Sequence, residues 1–286
     1  MWQKVIIAGL GMGGIGVAGV VGLLGSAQIW GDRQLARTFD IEVSSVETST
    51  EPAVLKRGEQ LARHIALCVS CHGDDMSGGE WMEVPGLVHL YTPNLTGGKG
   101  SPTADYTDDD WVRAIRHGVA RDGHGLVTMP IRATGNMSAE DMGALISWVK
   151  LLPDVDHTVP QTELYAPVRA MWMLGVVPLQ EVDVIDHDAQ PLATIEREAS
   201  VEYGEYLASI SCHGCHGEDL AGAEGSDITP TVLADWTFGN FNAALRGGVS
   251  KDGRPLDEQM PWRHLAGLPD TEMRALWAYV SQVPPS

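Results

Sequence analysis

From Val5 to Trp30 the chain runs 26 residues without a charged side chain. As a helix rising 1.5 Å per residue such a run spans about 39 Å, more than the hydrocarbon core of a bilayer at about 30 Å. The pattern therefore predicts a single membrane-crossing helix within residues 1–31. Beyond it the apolar positions fall into a helical period. Met142, Leu145, Ile146 and Val149 stand at i, i+3, i+4 and i+7, and so do Met273, Leu276, Trp277 and Val280; each set marks one amphipathic helix. Two further helices are expected after Thr107 and Thr237, good N-cap residues, ending at Gly118 and Gly248. No stretch shows sustained strand alternation, so the fold class is expected to be mainly α.

The apolar run contains a competing signal. Gly9, Gly11 and Gly14 have the spacing of a dinucleotide-binding turn after Val5-Ile6-Ile7. A nucleotide fold would then show a helix with a polar face and a second strand ending in an acidic residue, and neither follows. Gly9 and Gly13, with Ala18 and Gly22, instead give the run a small-residue face suited to close helix packing. Lys4 before the run favours a cytoplasmic amino end and an extracytoplasmic remainder. A cleaved signal peptide ending near Gly25-Ser26-Ala27 is the alternative, although its hydrophobic region is usually shorter.

Self-similarity organises the rest. Gly58-Glu59-Gln60-Leu61-Ala62 returns as Gly204-Glu205-Tyr206-Leu207-Ala208, with two extra residues in the first copy before the next motif. Residues 106–123 match 236–253 without a gap, Met129-Pro130 answers to Met260-Pro261, and Thr92-Pro93 aligns with Thr229-Pro230. The expected division is an anchor at 1–31, one domain at 50–152, a connector at 153–199 and a second domain at 200–286. Within the connector, residues 166–180 are apolar enough to pack across both domains or to rest at a membrane or subunit surface.

All four cysteines sit in two copies of one pattern, CVSCH at 68–72 and CHGCH at 212–216. Cysteines three apart on a helical turn present both sulfurs to one side, with the following imidazole beside them. That geometry suits covalent attachment of haem: Cys68 and Cys71, or Cys212 and Cys215, hold the porphyrin, and His72 or His216 binds iron. A zinc site would need the two pairs to meet. A redox dithiol would want a strand before the motif, where a helical pattern stands instead. Two covalent haem c groups are the expectation. Because a vacant iron permits chemistry and a doubly ligated one mostly moves electrons, the sixth ligand decides function. Met129 and Met260, in matching loops before the last helix of each copy, are the candidate ligands. Among the rival histidines, His117 and His124 have no counterpart in the second copy and are expected to be exposed polar residues; His264 is the rival there. The carbonyls of Pro93 and Pro230 are expected to orient the proximal histidines. Arg116 and Arg246 are candidates for pairing with haem propionates or for a solvated helix face.

The formal net charge of −19 excludes nucleic acid and anionic lipid as direct partners of the soluble part and favours redox partners with a basic docking face.

In their order of helix, CxxCH, Pro-containing loop, Met-Pro and terminal helix, residues 54–152 and 200–283 resemble class I cytochrome c domains in tandem. TPNLT at 92–96, RAIRHGVARDG at 113–123 and YGEYLASISCHGCH at 203–216 resemble the multihaem cytochrome c subunits of bacterial alcohol and aldehyde dehydrogenases. The resemblance implies electron transfer from a catalytic subunit into a respiratory chain, with no substrate turnover by this chain. Two haem motifs stand where that family typically has three, and the amino-terminal apolar run is a second departure. The expected protein is a membrane-anchored dihaem electron carrier of the bacterial inner membrane facing the periplasm, working as a subunit of a respiratory or photosynthetic complex or of a periplasmic dehydrogenase. A dihaem peroxidase with one openable haem and a scaffold subunit are the alternatives.

Overall fold

A computed structural model describes the backbone of residues 2–282 and the side chains of residues 19–282. Helix α1 runs from Trp2 to Leu35, so Val5–Ile7 form no strand and the glycine-spaced turn has no nucleotide fold around it. Among the described residues no helix is long and apolar enough to cross a membrane. The surroundings of Lys4, Gly9, Gly13 and Ala18, on which the anchor reading draws, and of Gly11 and Gly14 lie outside the described residues.

Each copy of the repeat folds by the same steps. In the first, α2 (Pro52–Gln60) starts on a proline, whose fixed φ suits a first turn, and passes into a π-helical turn at Leu61–Ile65. Leu67, in the left-handed region at φ 56°, redirects the chain into α3 (Val69–His72). The second copy reaches the equivalent helix directly, α8 (Val201–Ser211) being followed by α9 (His213–His216). The π-helical turn and the left-handed Leu67 thus take up the two additional residues before Cys68.

Next comes a departure from the sequence expectation. A hairpin of β1 (Gly79–Val84) and β2 (Val88–Thr92), extended by β3 (Glu163–Leu164), forms a three-stranded antiparallel sheet. The mainly helical class stands, with this small sheet added. Val88, Leu90 and Thr92 point inward while His89 and Tyr91 alternate outward, but five residues are too short a run to stand out in a sequence. No strand occupies the corresponding place in the second copy among the described residues.

The chain continues through α4 (Asp108–His117), α5 (Ile131–Thr134) and α6 (Ala139–Val149). After the connector helix α7 (Ala166–Met173), the second copy repeats these as α10 (Phe238–Gly247), α11 (Trp262–Leu265) and α12 (Asp270–Val280). Thr107 and Thr237 cap α4 and α10 in full capping boxes, with Asp110 and Asn240 closing them. Gly118 and Gly248 end these helices at φ 66° and 68°, a conformation that costs glycine least. The first and last helices of each copy cross where glycine permits it: a Cβ on Gly58 would stand 2.1 Å from the Ala144 carbonyl oxygen, and one on Gly204 2.0 Å from that of Ala275.

One hydrophobic core runs through both copies, joining Leu61, Ile65, Trp111 and Ile146 to Leu207, Leu245, Met273 and Leu276. Across this contact lies a buried polar network. Arg57 grips Asp141 with Nε at 2.8 Å and Nη2 at 2.6 Å and reaches Glu272 of the other copy with Nη1 at 3.3 Å. Tyr203 donates to Glu272, while Tyr206 donates to Asp141 and accepts from the Ser138 amide. The carboxylates hold the Arg57 guanidinium above its ordinary pKa despite burial, and burial pushes both phenols up. Removing Arg57 would strand two buried carboxylates, a change that typically costs about 3–5 kcal/mol.

Within the connector, residues 166–180 begin with α7. This helix lies against the carboxyl-terminal part of α1, with Trp172 edge-on to Trp30 at 4.9 Å and Arg169 bonded to Asp32 at 2.5 Å.

Candidate functional site

The two five-residue motifs adopt nearly the same conformation. The His72 amide donates to the Cys68 carbonyl at 2.9 Å, and the His216 amide to that of Cys212 at 2.9 Å. The helix then breaks at a left-handed glycine, Gly73 at φ 81° and Gly217 at φ 82°. Three residues on, Met76 and Leu220 both take φ 60° and are buried in the core. The chain returns over the histidine, with Gly78 donating to the His72 carbonyl and Gly222 to that of His216, at 2.9 and 2.8 Å.

Both imidazoles are buried and oriented. His72 Nδ1 lies 3.1 Å from the carbonyl oxygen of Pro93, and His216 Nδ1 lies 2.6 Å from that of Ser226. A carbonyl only accepts, so Nδ1 donates its proton in each ring, which leaves Nε2 as the nitrogen free to face a metal. Burial lowers the pKa of His72, keeping it neutral. A neutral imidazole with Nδ1–H held by a carbonyl is the tautomer that ligates a metal through Nε2.

Ser226, not Pro230, therefore holds the second histidine. The Leu95 amide bonds to the Met76 carbonyl and the Ile228 amide to that of Leu220, at 2.8 and 2.9 Å, which pairs Leu95 with Ile228. Asn94 and Asp227 then correspond, each bonding through its side chain to the residue two ahead, Thr96 or Thr229. The shared Thr-Pro dipeptide misled the alignment by four residues. The Asx-turn pattern, Asn94-x-Thr96 against Asp227-x-Thr229, is the signal in the sequence that pairs Pro93 with Ser226.

The thiols of Cys68, Cys71, Cys212 and Cys215 form no disulfide. Burial pushes Cys68 up to about 12 and raises the other three. A redox dithiol needs a depressed thiol pKa, so the environment runs against that use. Among the described residues the one convergent set of three metal-binding side chains is Glu80, Glu83 and His89 on the sheet, so the two cysteine pairs do not combine into a tetrahedral site.

Met129 and Met260 occupy matching, partly buried loop positions. Each precedes a proline that opens the short helix α5 or α11, and each carbonyl accepts the amide two residues on, from Ile131 or Trp262. Met129 packs beside Val119, Ile131, Phe39 and Ile41, and Met260 against the main core. Arg116 and Arg246 tie down the turns that follow α5 and α11. Arg116 is buried and bonds to the carbonyls of Gly135 and Met137; Arg246 bonds to those of Ala266 and Leu268. Neither is a solvated face residue, and the loop carbonyls take up guanidinium donors otherwise open to a propionate.

Of the rival histidines, His117 is buried, against expectation. Its Nδ1 lies 3.0 Å from Nδ1 of His187 in the connector, and burial with neighbouring positive charge lowers its pKa to about 4. His124 is half exposed beside Asp122. The His264 carbonyl accepts from His64 Nδ1 at 2.8 Å, joining the turn before one CxxCH to the short helix α11 after the other copy's methionine. Asn136 makes the reciprocal contact with the Ser209 carbonyl at 3.1 Å.

Comparison with known proteins gives a family match at residues 53–149 and 199–280, to the family described as cytochrome C oxidase, cbb3-type, subunit III. Relatives include the gluconate 2-dehydrogenase cytochrome c subunit of Pantoea cypripedii, 35% identical over 57% of this chain and 38% of that protein. The fructose dehydrogenase cytochrome subunit of Gluconobacter japonicus is 26% identical over 80% of this chain and 52% of its own length. A diheme cytochrome c-type protein of Cereibacter sphaeroides is 26% identical over 76% of this chain and 82% of its own. The chain thus spans about a third to a half of the dehydrogenase-subunit relatives and most of the dihaem one.

Proposed function

The chain belongs to the cytochrome c family described as cytochrome C oxidase, cbb3-type, subunit III, and from that premise we propose that it is a dihaem electron carrier divided into domains at 50–152 and 200–286. The observation that carries the reading is the pair of buried histidines, each one residue after a CxxC turn and each with Nδ1 fixed on a backbone carbonyl.

These residues fit haem c. Cys68 and Cys71 would hold one porphyrin covalently and Cys212 and Cys215 the other, with His72 and His216 as iron ligands through Nε2 and Met129 and Met260 as the opposite ligands. Haem c, when bound, supplies a one-electron couple. The chain's own contribution is to orient the imidazoles through Pro93 and Ser226, to fix the turns after α5 and α11 through Arg116 and Arg246, and to exclude water with a core shared by both copies. The reciprocal contacts of His64 and Asn136 lock the copies together, so donor and acceptor ends keep a fixed separation.

The relatives' names place such subunits in sugar-acid, sugar and alcohol dehydrogenases, and by extension this chain would serve a catalytic partner rather than turn over substrate itself. Anchoring by the uncharged run of α1 in the bacterial inner membrane, with both copies in the periplasm, completes the reading. The strongly acidic chain suits a partner with a basic docking face. The test is coordination. The full-length holoprotein is titrated with carbon monoxide after reduction and with cyanide when oxidised; two methionine-closed centres bind neither at moderate concentration. Ready binding at one centre would replace the carrier by a dihaem enzyme of the peroxidase kind.

A further inference from the structure

The connector sends an apolar finger alongside α1. It leaves the fold at Leu164 and Val168, which pack with Leu35 at the end of α1, and returns at Leu179, whose carbonyl accepts from Thr128. Arg169 meets Gly31, Asp32 and the Gln28 carbonyl, so α7 begins at the carboxyl end of α1 and runs back along it toward the uncharged segment. A Gly175 in the left-handed region turns the chain, with the Val176 amide closing on the Met171 carbonyl. At the tip, Leu174 is 63% and Val176 64% exposed, while the two ends of the excursion are buried.

The chemistry along this pair of helices is layered. Asp32 and Arg169 form an ion pair at one level, Trp30 and Trp172 stack edge-on beside it, and beyond them neither segment carries a charge: residues 170–179 have none, nor do residues 5–31. Charge, then tryptophan, then bare aliphatic surface is the order in which side chains meet a bilayer, indoles favouring the headgroup level. Val20, Val21 and Leu23 of α1 continue the exposed apolar surface.

We propose that the tip Leu174-Gly175-Val176 dips into the lipid surface beside α1, as a second membrane contact that holds the two haem-binding copies at a set tilt and height. The inference rests on the anchor reading of α1. The occupant is lipid because the tip is aliphatic and uncharged, and the acidic chain around it requires an insertion driven by apolar burial rather than by attraction to anionic headgroups.

The test uses full-length holoprotein in phosphatidylcholine vesicles, with a single added cysteine at Val176→Cys, Leu23→Cys or Leu192→Cys, and a charged maleimide as probe. Leu192 is an exposed connector residue away from the finger. The proposal expects Leu192→Cys to react freely, Leu23→Cys to be protected and Val176→Cys to react many-fold more slowly than Leu192→Cys. Reaction of Val176→Cys at the Leu192→Cys rate with Leu23→Cys still protected overturns the tip contact and leaves the anchor. Free reaction at both overturns the anchor and the proposal with it. Protection of Val176→Cys while Leu23→Cys reacts would mean a protein-covered tip, and overturns the lipid assignment. If Val176→Cys fails to take up haem, Leu174→Cys, at the same exposed tip, is labelled in its place: slow reaction is expected, and reaction at the Leu192→Cys rate contradicts the proposal.

Discussion

At the level of single residues, one hydrogen bond fixes Nδ1 of each proposed iron-binding histidine, and one loop methionine in each copy is the proposed second ligand. A thioether ligand raises a haem's potential relative to nitrogen ligands. Met260→His is therefore expected to lower one midpoint of a redox titration by on the order of 0.2 V, a fraction of the span that axial ligands cover, and to leave the other in place. Two unchanged midpoints would remove Met260 from the assignment. His117 supports a second expectation. Its pKa falls from 6.5 to about 4 in the fold, so below 6.5 the unfolded chain binds a proton that the native state refuses. Stability from this group is complete above pH 6.5 and is lost as pH falls toward 4, by about 3 kcal/mol at most. Thermal unfolding of the holoprotein at pH 7 and at pH 4.5 should accordingly show a smaller loss in His117→Gln than in the parent; equal losses would mean that the ring does not titrate as its burial requires.

At the level of elements, legibility followed the strength of local chemistry. The capping threonines, the stop glycines and the terminal amphipathic helices were readable because each is dictated by neighbours within a turn or two. The hairpin at 79–92 was not, since five alternating residues carry little periodic signal and no paired strand is predicted to frame the Pro85-Gly86 turn. The displaced pairing of Pro93 with Ser226 has the same origin: the hairpin lengthens one copy's loop, and a chance dipeptide bridged the difference. His117 was misjudged because its burial depends on His187, seventy residues away, a contact that no local pattern encodes. Helix crossing supplies the expectation at this scale. Gly204→Ala drives a methyl group into the Ala275 carbonyl, and overpacking of this kind costs about 1–3 kcal/mol. A fall in thermal midpoint of several degrees is expected, measured by circular dichroism; an unchanged midpoint would show that α8 and α12 separate without cost.

At the level of the whole molecule, the repeat produced two similar halves that fold against each other through one core and one buried ion network rather than two independent beads. The equivalence is imperfect where it matters for joining them. Arg57 stands where the second copy has Tyr203, so a single guanidinium faces a carboxylate from each copy. The motifs on which the functional reading stands were visible in the sequence. The carbonyls that orient them and the arginines that fix the turns after α5 and α11 required the structure, because each acts across ten or more residues. All of this converges on porphyrin tethered at both CxxCH turns. The most direct measurement is peptide mass spectrometry of the mature protein after acid–acetone extraction, which strips unattached haem. Fragments containing Cys68 with Cys71, and Cys212 with Cys215, are each predicted to retain one haem mass, whereas free thiols in either fragment of protein matured in a cytochrome c-competent host would contradict the account.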